Sequence, residues 1–293
     1  NRANVGGAIG GIGSQLTFIN STFEDNEAAG NEGLLSGVGG AVYADGIDLW
    51  DPANTQNHIF EICGSIFNRN QAKHEGGAVF AVVSDSKKNQ LVVDKSSFEN
   101  NQLISTNDGR GGAIYHVEDD YLGNTDDPSQ NLIITSSLFS ANSCQRQGGA
   151  VWTLTGGGAL IENNTFEGNR VLRLNQGLGG ALAISSAGYG GDFTLRNNTL
   201  ANNASEHFAG AVFGASDNNI LVDNNIFSNN TSEFEFEGHQ LVVRLILVAP
   251  QISFFPSKDG MDRMMFLTRI RFPLKILCLA PFRQMEGLPK RWP

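Results

Sequence analysis

Asp45, Asp48 and Asp51 recur at intervals of three, Glu118, Asp119 and Asp120 are contiguous, and Asp126 and Asp127 follow closely. Carboxylates at such density are the chemistry of a hard cation, because Ca2+ gathers several carboxylate and carbonyl oxygens around itself. Neither stretch has the spacing of an EF-hand loop or of a Gly-Gly-x-Gly-x-Asp calcium roll. Bound calcium and a solvated acidic loop are both open readings of these residues.

Paired carboxylates also serve glycoside hydrolysis. Asn124-Thr125-Asp126-Asp127 superficially resembles the Asn-Thr-Asp motif of polygalacturonases. The paired Asp, Gly-His-Gly and Arg-x-Lys motifs of that family are absent, and few Lys or Arg stand near the acidic stretches to support lyase chemistry. A polysaccharide-active enzyme, lyase or glycoside hydrolase, is thus the alternative and not the leading reading. His58, His74, His116, His207 and His239 occupy no common place in the repeat described below, so they build neither a metal site nor a proton relay.

A third kind of chemistry is aromatic. Seven copies of Gly-Gly-Ala-aliphatic, one of them varied to Ala209-Gly210, end at Ile9, Val42, Val79, Ile114, Val151, Leu182 and Val212. The next residue is Tyr43, Phe80, Tyr115, Trp152 or Phe213 in five of the seven. If the aliphatic points inward, alternation sends the rings outward as a strip suited to sugar faces or protein partners. The opposite phase, or a covering loop, buries them.

These candidates must be positioned by the repeat itself. Phe-x-x-Asn or its Leu variant also occurs seven times, as Phe23/Asn26, Phe67/Asn70, Phe98/Asn101, Phe139/Asn142, Phe166/Asn169, Leu200/Asn203 and Phe227/Asn230. Seven and five residues before this Phe stand only apolar residues, such as Leu91 and Val93 or Leu132 and Ile134, with a freely varying residue between them. That is the period-two signature of a strand with one buried face. Two residues before the Phe stands only Ser or Asn, from Ser21 to Asn225, a polar corner.

Each repeat reads as three short strands and three corners, one turn of a three-sided parallel β-helix of about seven coils. In such a stack identical side chains pile into columns, and Asn amides hydrogen-bond to the coils above and below. The recurring Phe, Asn and Gly-Gly are architecture. Function belongs to what varies, namely the insertions at residues 44–58 and 116–130, which leave the same corner two coils apart, and the aromatic column.

Composition divides the chain. Residues 1–237 carry 11 Lys/Arg against 27 Asp/Glu, a net of −16, which argues against nucleic acid because phosphate binding needs clustered cations. Residues 238–293 carry 9 Lys/Arg against 3 Asp/Glu, all four Met, six of the eight Pro and no Asn, a basic tail outside the repeat and expected to pack poorly against it. Leu241 to Pro256 is apolar but interrupted by Arg244 and Pro250, so no transmembrane helix is expected. Cys63 and Cys144 lie two coils apart and Cys278 in the tail, which implies no disulfide framework. Sequons at Asn20, Asn163, Asn197, Asn203, Asn229 and Asn230 mostly coincide with the Asn-rich corners. Because the chain opens inside a repeat, its N-terminus is expected to be truncated, with any targeting segment missing.

Gly6-Gly7-Ala8-Ile9, Gly76-Gly77-Ala78-Val79 and Gly111-Gly112-Ala113-Ile114, alternating with Phe23-Glu24-Asp25-Asn26 and its counterparts, resemble the polymorphic outer membrane protein repeats best known from chlamydial surface autotransporters. The resemblance covers about residues 1–230. It implies a right-handed, pectin-lyase-like β-helix, secreted or presented at a cell surface, which binds cells or glycans as an adhesin-like passenger. It implies no catalytic residues. The 60-odd residues after the repeats are too few for the membrane β-barrel that bacterial members carry.

Overall fold

The computed structural model describes residues 1–30, 36–47, 58–84, 89–105, 108–119, 130–185, 191–215, 218–233, 241–242 and 253–255. All regular structure in them is β. The strands stack into four parallel sheets of seven or eight strands, each strand hydrogen-bonded to its counterparts one coil before and one coil after. This is the parallel β-helix, of about seven coils, that the columns require.

One coil shows the plan. Ile59–Cys63 is the alternating strand, Ile66–Asn68 the Phe strand, Gln71–Ala72 a two-residue strand, and Val79–Ser84 the strand that follows Gly-Gly-Ala. The sequence shows three of these. The fourth, just after the Asn corner, is two residues long, too short for a period-two pattern to register. Its inward residues Ala28, Ala72, Leu103, Cys144 and Val171 form a small buried cluster of their own. Cys144 belongs to that cluster, and burial pushes its thiol up to about 12. Cys63 and Cys144 are both free thiols.

Register keeps every column in phase. Phe67 pairs with Phe98, Phe98 with Phe139 and Phe139 with Phe166. From Phe23 to Phe166 the rings stack face to face, 4.6 to 4.9 Å apart and within 3 to 9° of parallel. That separation is the inter-strand spacing, so the backbone and not ring preference sets the stack. Phe60, Ile62, Leu91, Val93, Leu132 and Ile134 are fully buried beside them, and so are the alanines of the Gly-Gly-Ala motif from Ala41 to Ala211.

Two polar ladders run through the corners. Asn70 Nδ2 donates to the Phe23 carbonyl (3.0 Å) and to Asn101 Oδ1 (3.0 Å), while its Oδ1 accepts the Asn26 backbone N–H (3.1 Å) and Nδ2 (2.8 Å). The Ser/Asn corner repeats the scheme: the Ser65 N–H reaches Ser96 Oγ, Ser96 reaches Ser137, and Ser137 passes the ladder to Asn164 Oδ1 at 2.9 Å. Buried amides and hydroxyls are thereby satisfied, as burial demands.

The Gly-Gly pair has two separate causes. Gly76 is left-handed at φ +62°, whereas a Cβ on Gly77 would lie 2.0 Å from the Gly112 carbonyl oxygen of the next coil. The first needs glycine's freedom and the second its lack of a side chain. Beyond residue 237, Leu241–Val242 and Ser253–Phe255 each add a rung to the Gly-Gly-Ala and Phe sheets. No described helix is long and apolar enough to cross a membrane.

Candidate binding face

The aromatic column lies in register along one sheet, from Gly10 and Tyr43 through Phe80, Tyr115 and Trp152 to Ala183 and Phe213. Tyr43, Phe80, Tyr115 and Trp152 stack with centroids 5.3, 5.0 and 4.5 Å apart. Their side chains leave the main core, as the outward phase requires, and form a second apolar cluster on the outer face. They are nevertheless buried, at 3 to 8 % exposure, with Phe213 half-buried. The rings therefore do not form the open strip that one of the two phases offered.

What covers them is the residue preceding each Gly pair. Val38, Glu75, Arg110, Gln147, Leu178 and Phe208 bridge one another in a single line along the stack. Val38 packs into the aromatic cluster. The Arg110 guanidinium stands 5.1 Å above the Trp152 ring and 3.7 Å from the Glu75 carboxylate. Trp152 Nε1 donates to Gln147 Oε1 (2.8 Å) and Ser185 Oγ (3.0 Å). On the other flank Val82, Val117 and Leu154, two residues beyond the rings, complete the cover.

Burial governs the charges here. It raises the Glu75 carboxyl above the ordinary range, with Arg110 and a hydrogen bond to Tyr115 opposing it. It also raises the Tyr115 phenol, with the Glu75 charge adding to the effect. A cation over a desolvated indole is a favourable arrangement, so Arg110 holds the cover down on the rings.

The acidic stretches divide. Asp45 accepts the Tyr43 hydroxyl at 2.6 Å. Glu118 accepts the backbone N–H groups of Gly156 (2.7 Å) and Gly157 (3.0 Å) and a short hydrogen bond from the Thr155 hydroxyl. That carboxylate anchors the 155–158 turn of the next coil, so its geometry serves the fold. Asp119 ends its strand in register with Ser84. Asp48, Asp51, Asp120, Asp126 and Asp127 lie outside the described residues. The insertions expected at 44–58 and 116–130 begin later than that, because residues 44–47 and 116–119 continue the strands Val42–Ile47 and Ile114–Asp119, which are two rungs apart in one sheet. Among the described residues no three His, Cys, Asp or Glu side chains are grouped to hold a metal ion.

His116 is a feature that sequence reasoning missed. It follows Tyr115 and so points inward, into a column whose neighbours are Ala81, Thr153 and Ile184. It is wholly buried, with Nδ1 2.9 Å from Thr153 Oγ1 and Nε2 without a hydrogen-bond partner. Desolvation pushes its pKa down to about 3, so the ring is neutral. Its column runs Gly11, Ala44, Ala81, His116, Thr153, Ile184 and Gly214, with no recurrent residue type to mark it in the sequence.

A groove of about 500 Å3 follows the Ser/Asn corner, between Ile66, Lys95, Ser96, Leu138 and Asn163. Three of its hydroxyls are committed inward. Ser65, Ser96 and Ser137 donate to the carbonyls of Cys63, Asp94 and Thr135 at 2.7 to 3.0 Å while accepting a backbone N–H from the coil before. Compared with protein-family models, curated proteins and solved structures, the chain matches none of them.

Proposed function

We propose that the chain is a non-catalytic repeat scaffold, secreted or presented at a cell surface, that binds cells or glycans as an adhesin or autotransporter passenger does. The observation that carries this reading is the commitment of the recurrent polar groups. The Asn amides, the corner hydroxyls and the Glu118 carboxylate are used to hold coil to coil. General acid–base or nucleophilic catalysis needs a polar atom within reach of a substrate, and these atoms are turned inward. What varies from coil to coil is the outward side chain, which suits a long recognition surface.

Two further facts support it. The paired motifs resemble the polymorphic outer membrane protein repeats, and the net charge of −16 over residues 1–237 suits a protein or glycan partner and not nucleic acid. The contact surface we assign is the outer face of the Gly-Gly-Ala sheet, where a rigid stacked cluster supports the varied line Glu75, Arg110 and Gln147. Calcium held by the insertions after Ile47 and Asp119 is compatible with this role.

The test uses the purified 293-residue chain on a panel of immobilised glycans and cultured cells, alongside assays for reducing ends and unsaturated uronates. Binding without turnover is expected. Turnover that disappears in Asp126→Asn or Asp127→Asn would replace this reading with that of a polysaccharide-active enzyme.

A further inference from the structure

Six Asn-x-Ser/Thr sequons occur in the chain, and the fold sorts them by position. Asn20, Asn163 and Asn197 share one column, the residue immediately before the Ser/Asn corner. All three are exposed and left-handed, with φ of +48, +59 and +56°. Asn163 and Asn197 are on adjacent rungs, since Glu162 pairs with Arg196 just before them. At each, the following residue (Ser21, Asn164 or Asn198) joins the corner ladder, and the threonine after it opens the Phe strand. Thr22 is exposed and Thr165 and Thr199 are half-buried.

Asn203 and Asn230 stand in the opposite situation. They are 0 and 2 % exposed, in the Asn ladder itself. Asn203 Nδ2 donates to the Phe166 carbonyl (3.0 Å) and Asn230 Oδ1 (2.9 Å), and Asn230 Nδ2 donates to the Leu200 carbonyl (2.8 Å). An oligosaccharide on either nitrogen is incompatible with the stack. Asn229 is half-buried at the neighbouring corner and is left unassigned.

We infer that Asn20, Asn163 and Asn197 are acceptors for an N-linked oligosaccharide, a bulky and solubilising group that requires a surface position. In the transfer, the Asn Nδ2 attacks the anomeric carbon of a lipid-diphosphate-linked oligosaccharide. The N–C bond forms, the C–O bond to the diphosphate breaks, the lipid diphosphate departs with the electron pair, and the amide loses one proton to base. The glycans then stand along a single edge of the stack, on the Ser/Asn corner. They leave the outer face of the Gly-Gly-Ala sheet clear. This assignment rests on the reading of the chain as a secreted or surface protein, and applies where its secretory route carries a lipid-linked oligosaccharide donor, as a eukaryotic route does.

The experiment supplies entry to the secretory compartment independently of that reading. The full chain is expressed in cultured eukaryotic cells behind a heterologous cleavable signal. The secreted protein is deglycosylated enzymatically in 18O water and mapped by mass spectrometry. Label is expected at Asn20, Asn163 and Asn197 and not at Asn203 or Asn230. Thr165→Ala and Thr199→Ala, which keep each corner Asn in place, are each expected to remove one glycan mass. Absence of label at all three sites, or equal label at Asn203 or Asn230 in the secreted protein, overturns the assignment. Failure of the chain to bind cells or glycans would instead count against the adhesive reading alone.

Discussion

The backbone N–H and the side-chain amide of Asn101 both donate to a single atom, Oδ1 of Asn142 on the next coil, each at 3.0 Å. The same relationship repeats from Asn26 to Asn230, so one oxygen per coil terminates two buried donors. Removing it leaves both unpaired, and an unsatisfied buried donor costs about 1 to 3 kcal/mol.

Asn142→Ala is therefore expected to destabilise the stack by about 3 kcal/mol or more, because it orphans the two Asn101 donors and frees the Phe98 carbonyl that Asn142 Nδ2 now satisfies. Urea denaturation followed by circular dichroism measures this. A change of under about 0.5 kcal/mol, typical of a surface site, would refute the ladder's energetic role.

Ala209 occupies, at φ +58°, the place that glycine holds in the other coils. Left-handed backbone costs an L residue about 1 to 2 kcal/mol, and glycine gives back about 0.5 to 1 kcal/mol in the unfolded chain. Ala209→Gly should thus stabilise by about 0.5 to 1 kcal/mol. Gly112→Ala, whose Cβ would meet the Gly149 carbonyl oxygen at 2.0 Å, should abolish a cooperative transition. Thermal melts are expected to show a higher midpoint for Ala209→Gly and no cooperative transition for Gly112→Ala.

His116 makes stability fall in acid. Its folded pKa of about 3 lies below the ordinary 6.5, so between these values the unfolded chain holds a proton that the folded chain does not. Stability from this group is complete above pH 6.5 and is lost as pH falls towards 3, by up to about 1.4 kcal/mol per pH unit. His74 and His207 shift the same way through burial and add to the effect. His116→Leu should lose less stability than the parent between pH 7 and pH 4.5. Equal losses in the two proteins would show that His116 does not titrate with unfolding.

Trp152 separates the two descriptions of the aromatic column. Buried, stacked on Tyr115 and held under Arg110, it should cost about 3 to 5 kcal/mol when changed to Ala. An exposed strip residue would cost almost nothing. Arg110→Ala should shift the indole fluorescence to the red by admitting water, and an unchanged spectrum would argue against the cover.

Much of this was legible without coordinates. Leu91 and Val93 or Leu132 and Ile134 reveal their inward face because alternation is a local property of a strand. Asn101 and Asn142 reveal their ladder because identical residues at a fixed place in successive coils must stack. The Ser/Asn corner was visible for the same reason, and Ser96 and Ser137 sit in it as expected. The free Cys63 and Cys144 agree with their separation by two coils.

The sequence by itself determined the parallel β-helix, its seven-fold repetition and the inward or corner role of the Phe, Asn and alternating apolar columns, though not the phase of the aromatic column, because a one-dimensional repeat turns sequence period directly into spatial column. It did not determine how neighbouring columns meet across a corner. That Glu75, Arg110 and Gln147 lie over Tyr115 and Trp152, that Glu118 reaches the 155–157 turn, and that His116 is sealed beside Thr153 all depend on distances between elements that no local pattern encodes. The same holds for the sequons, where Asn197 and Asn203 carry equivalent triplets and only the turn of the backbone places one amide on the exposed face, beside Glu162 and Asn224, and the other in the buried ladder.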